Sequence, residues 1–140
     1  MPFQATFTRS LLAVGLSAVL LTGCGTHSVM KDDTVKRTAL PVFMLERNIP
    51  AQDFIIEARE RVYEKFKPAT VYIEGDGVAF YDDVSVSDDP TPVDPVALRL
   101  AAQNSNTNII WLARPCQYNK GWKHGSQCPS DFWTGKRFAP

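Results

Sequence analysis

Thr70-Val71-Tyr72-Ile73-Glu74-Gly75-Asp76-Gly77 decides the fold. Its first four residues are short, apolar and β-branched or aromatic, the composition of a strand buried on both faces as in parallel sheets. The two glycines end that strand abruptly. Asp94-Pro95 then opens a helix, since aspartate caps well and proline is tolerated at the first helical position. Val96, Ala97, Leu100 and Ala101 form its predicted inward stripe, and Asn104-Ser105-Asn106 ends it. Asn108 to Ala113 is a second apolar strand. Strand, glycine turn, helix and strand make one right-handed βαβ unit.

Working upstream, Pro41 to Leu45 reads as a first strand and Asn48-Ile49-Pro50 as a turn. Phe54 to Tyr63 fits either a half-buried strand, on Ile56, Ala58 and Val62, or a helix, on its Glu, Arg and Ala content. Lys67-Pro68 ends it in both cases. The fold class is therefore α/β, an antiparallel start followed by the βαβ unit.

Farther upstream, Arg9 precedes an apolar run from Leu11 that closes on Leu21-Thr22-Gly23-Cys24. Charge, short apolar core and small residues are the layout of a secretory signal. The run is shorter than the ~20 residues that a permanent transmembrane helix needs. A cysteine directly after Leu-Thr-Gly resembles the lipobox of bacterial lipoproteins. That resemblance implies diacylglycerol on the Cys24 thiol, cleavage before it, and stable anchoring by acyl chains worth ~0.8 kcal/mol per buried CH₂. Residues 1–23 are then the signal peptide, 24–37 a polar tether, and 38–140 the folded domain. Gly25 is not the aspartate associated with inner-membrane retention, so the expected location is the periplasmic face of the outer membrane.

Removing 23 of 140 residues leaves 117, enough for one small domain. Loss of Arg9 leaves 14 basic residues against 15 acidic, a balance that offers nothing to nucleic acid. The charge is unevenly placed. Glu74 to Asp94 holds seven carboxylates and no Lys or Arg, and Arg114 to Arg137 holds five basic residues against Asp131 alone. These read as two solvated loops that attract each other. With Cys24 lipidated, Cys116 and Cys128 are left in an oxidising compartment and read as one disulfide, closing a thirteen-residue loop worth ~3 kcal/mol. Their spacing is not that of a zinc site. Asp82, Asp83, Asp88 and Asp89 lack the glycine and glutamate of a calcium loop, so no metal or cofactor is expected. Trp122, Phe132 and Trp133 read as a small core under the last loop.

In open α/β sheets ligands bind beyond the carboxyl ends of the strands, which places Glu74–Gly77 beside Arg114–Tyr118. Val71 to Gly77, Asp89-Pro90-Thr91-Pro92 with Asp94-Pro95, Leu112 to Tyr118, and Cys128 with Phe132-Trp133-Thr134 and Arg137-Phe138 together resemble the N-terminal half of a family of exported bacterial α/β-hydrolase-like proteins. The resemblance runs from about Val42 to Pro140. It implies that Glu74–Gly77 fills the place of the oxyanion-hole loop, with Glu74 where many members have histidine, and that the backbone N–H of Asp76 or Gly77 is the donor. The family's nucleophile sits in a G-x-S-x-G elbow, and no such pattern occurs here. Neither His27 nor His124 carries over as the base.

The resemblance thus implies a chain that stops before the nucleophile strand, lacks nucleophile, acid and base, and is inactive alone. A small acyl substrate enters only if the domain is completed. The strand at Val71–Ile73 is left as an exposed apolar edge, open to a missing C-terminal half or to a protein partner, and the isolated chain is expected to be poorly stable. The alternative is a non-catalytic lipoprotein that serves as an envelope interaction module.

Overall fold

The structure is a computed structural model that describes residues 26–119 and 128–138. Its elements in chain order are α1 (Thr26–Ala39), β1 (Leu45–Ala51), β2 (Phe54–Val62), β3 (Thr70–Ile73), α2 (Val96–Gln103) and β4 (Asn108–Leu112), with three short 3-10 turns. The strands form one mixed sheet in the order β1-β2-β4-β3. β1 and β4 both run antiparallel to β2, and β3 is parallel to β4 through the α2 crossover. The fold is mixed α/β.

Register fixes the two faces. Glu46, Arg59, Trp111 and Tyr72 lie in one row across the sheet, and Arg47, Ala58, Leu112 and Ile73 in the next. Successive rows point to opposite faces. Both helices cover the Trp111 face. There Val35 and Ala39 of α1 and Leu98 and Ala101 of α2 pack with Met44, Ile109, Trp111, Ala113 and Tyr118 as the main core. Each fully buried Leu or Ile contributes ~1.5–3 kcal/mol. Among the described residues no helix covers the other face. The 3-10 turn Ser130–Trp133 reaches it at one corner, where Phe132 meets Phe54 edge-on at 5.0 Å.

The structure departs from the expectations at five places. The first strand is not Pro41–Leu45: Leu40–Val42 is a 3-10 turn, Phe43 ends it at φ +58°, and the strand starts at Leu45. Asn48-Ile49-Pro50 lies inside β1, and the hairpin turns at Gln52-Asp53 with Gln52 at φ +49°. Pro50 is tolerated because β1 is an edge strand, where a missing N–H costs no ladder bond. The segment from Phe54 resolves as strand as far as Val62, because β2 is central and pairs on both sides.

β3 is not buried on both faces; Val71 and Ile73 are 50% and 66% exposed. α2 is rotated relative to the predicted stripe, so that Leu98 and Ala101 point inward while Val96 and Leu100 are exposed. Finally, Thr26–Ala39 is a helix where a tether was expected. Lys31, Val35 and Ala39, four residues apart, form its buried side, and the Lys31 Nζ pairs with Asp89 at 3.0 Å.

Candidate functional site

The carboxyl ends of β3 and β4 bring Glu74–Gly77 and Arg114–Tyr118 together, as the sequence predicts. Glu74 is 5% exposed and fully engaged. One carboxylate oxygen accepts the Gly75 and Ala97 N–H groups at 3.1 and 3.3 Å, and the other accepts the Trp111 indole N–H at 3.0 Å. Ala97 belongs to the first turn of α2, so Glu74 satisfies one of the donors that a helix start leaves open. Its role is to pin turn, helix and β4 to one another.

Asp76 turns outward and is gripped by two guanidiniums, Arg114 and, at 2.5 Å, Arg137. The oppositely charged loops do attract each other, and this is the contact they make. Gln117, which the sequence did not single out, is 2% exposed and ties the same loops together. Its amide donates to the Gly75 carbonyl at 2.8 Å and accepts the Arg114 N–H at 3.0 Å. A glutamine five residues past a strand end carries no signal of that role.

Gly77 sits at φ +66°, and a β-carbon there would overlap the Pro90 carbonyl, so the turn requires glycine. The Val78 N–H closes the turn on that carbonyl at 3.2 Å. Among the described residues the Asp76 and Gly77 N–H groups bond to no acceptor. An open, mostly apolar cleft of about 470 Å³ adjoins them, lined by Gly75, Gly77, Val78, Val93, Val96 and Leu100. The exposed side of α2 therefore forms a cleft wall. Such a cleft with free backbone donors can hold an apolar group that ends in an oxygen acceptor.

Cys116 and Cys128 are bonded, with Cα atoms 5.6 Å apart. Cys116, Ala79 and Trp133 form a second small core with Phe54, Cys128 and Phe132 against it, and the Trp133 indole donates to the Ser87 carbonyl at 3.2 Å. Tyr118 stacks edge-on against Trp111 at 5.7 Å, yet its buried hydroxyl has no hydrogen-bond partner. Burial first, then the nearby carboxylates of Glu74, Glu57 and Asp89, push its ionisation well above the ordinary tyrosine range. Arg59, almost fully buried on the helix-covered face, pairs with Glu57 and, at 3.1 Å, with Glu46. The alternation Glu57, Arg59, Arg61 was the signal for that row.

In the acidic loop, Asp82 is bonded within the loop and Asp89 reaches across to α1. Asp82 accepts the Val84 and Ser85 N–H groups and the Ser85 hydroxyl, which holds its pKa below the usual value. Asp89 accepts from Thr91 N–H and Lys31. Among the described residues no group of His, Cys, Asp or Glu is placed to hold a metal, and no helix is long and apolar enough to cross a membrane. The Ser85 and Ser87 hydroxyls donate to Asp82 and to the Asp89 carbonyl. Cys24, Trp122 and His124 lie outside the described residues. No protein-family model, curated protein or solved structure matches the chain.

Proposed function

We propose that the chain is a lipid-anchored envelope protein, held at Cys24, that works by binding a protein partner along β3 and has no turnover of its own. The observation that carries this reading is the contrast between the two sheet edges. β1 is guarded by Pro50 and by the charges of Glu46 and Arg47. β3 carries neither. The Glu74 N–H donates to Leu112 O, so by the period of the ladder Thr70 and Tyr72 also bond inward, while the N–H and C=O groups of Val71 and Ile73 point outward. An added strand would gain main-chain bonds there and apolar contact with both side chains.

A photo-crosslinking residue at Val71 in the lipidated chain tests this in cells, with the same residue at Arg47 as control. A discrete protein adduct at 71 and none at 47 is expected, together with no hydrolysis of activated esters by the purified chain above a protein-free control. Ester turnover above that control, or the same adducts at both positions, overturns the reading.

The second reading is the front half of an acyl-ester hydrolase, with the Asp76 or Gly77 N–H as oxyanion donor. It is supported by those unbonded donors beside the apolar cleft. Completed with a strand carrying the nucleophile, such a site would lose ~2.7–4 kcal/mol of transition-state stabilisation on loss of one donor.

A further inference from the structure

We propose that the carboxyl end of the sheet, where the candidate site lies, faces the bilayer. The inference rests on the lipid-anchor reading of Cys24 and adds an orientation to it.

The direction of α1 carries the argument. In its first half, at the sixth residue, Lys31 bonds Asp89; Asp89 accepts the Thr91 N–H, and the Thr91 hydroxyl accepts the Tyr118 N–H at 2.6 Å. All of these lie at the carboxyl ends of β3 and β4. At the far end of the helix, the Ala39 carbonyl accepts the Met44 N–H, and Arg61 bridges the carbonyls of Val42 and Asn104. Asn104 and Asn106 reach Tyr72 and Thr70 at the opposite end of the sheet. α1 therefore runs from the site end to the amino end of β3 and β4, and its 14 residues cover ~21 Å.

Cys24 precedes Thr26 by two residues, a reach of about 7 Å. A polar tether would have left the domain free to tumble; a docked helix leaves no such slack. The acyl chains can enter the bilayer near the site end and cannot reach the other end.

Exposed aromatic residues do not decide the matter, since Phe43, Tyr63 and Phe66 are exposed at the amino end and Tyr81 and Phe138 at the site end. The loop from Val78 to Asp94 leaves and rejoins the sheet at the site end, and its exposed Phe80, Tyr81 and Val84 surround Asp82 and Asp83. Two carboxylates keep that tip out of hydrocarbon and disfavour anionic lipid, so it rides at the level of zwitterionic headgroups. The apolar cleft, lined by Gly75 and Gly77 at that end, then lies on the membrane-facing half of the domain.

The full lipidated chain in phosphatidylcholine vesicles tests the orientation. Nitroxide labels are placed at Val84→Cys and, at the other end, Phe66→Cys, both exposed positions. Cys24 is consumed by lipid and Cys116–Cys128 by their bond, so labelling is selective. The ratio of collision rates with oxygen and with a water-soluble nickel chelate should be several-fold higher at 84 than at 66. Equal ratios, or a higher ratio at 66, overturn the orientation while leaving the anchor intact. Mass spectrometry separates the two claims: a purified chain with no diacylglycerol mass overturns the anchor reading, and the orientation falls with it.

Discussion

Glu74 shows how one side chain in the turn after β3 can serve the fold. Replacing it with alanine leaves the buried Trp111 indole N–H and the Ala97 N–H without acceptors, and should cost about 3 kcal/mol in urea unfolding. Glu74→Gln keeps an acceptor oxygen and should cost less. Tyr118 is the opposite case, a buried hydroxyl with nothing to bond. Tyr118→Phe should leave stability unchanged or raise it by ~1 kcal/mol, because an unsatisfied polar group is removed without a cavity. The pH dependence has a definite sign. The folded ionisation of Tyr118 is raised above the unfolded value of ~10, so its contribution is complete below pH ~10 and is lost as pH rises beyond it. Urea midpoints should therefore fall above pH ~10 in the native chain, and fall less in Tyr118→Phe. Equal alkaline losses in the two would contradict this account.

Elements were legible where a short pattern suffices and hidden where tertiary contacts decide. β3, β4 and the existence of α2 followed from β-branched runs bounded by glycine, proline and asparagine. α1 was not legible, because its inward side is Lys31, Val35 and Ala39, a row too small and too polar to register as an apolar stripe. The face of α2 was misread because Val96 and Leu100 look like core residues, yet they line the cleft. Pro50 looked like a turn because proline's place on an edge strand depends on strand order, which local sequence does not carry. At this scale the unguarded β3 edge should drive self-association, since two copies can satisfy each other's outward groups. Sedimentation velocity at rising concentration should show it, and Ile73→Lys should suppress it. Charge reversal at the guarded edge, Arg47→Glu, should have no effect on association.

The described residues form a sheet with one face under two helices, one guarded edge and one edge that no described strand pairs. The juxtaposition of the two loops was legible because βαβ topology fixes it, and the charge asymmetry foretold their attraction. The Asp76 grip by Arg114 and Arg137 and the Gln117 tie were not, because they depend on side-chain reach across loops far apart in sequence. In the proposed reading, lipid at Cys24, a docked α1 and an exposed β3 edge would hold the domain close to a membrane with a strand-binding edge on offer. Residue-resolved amide hydrogen exchange on the dilute purified chain tests that most directly. The account predicts alternation along β3: fast exchange at Val71 and Ile73, slow exchange at Tyr72 and Glu74, and protection in β2 and β4. Uniform protection at all four positions would mean that the edge is already covered, and would contradict it.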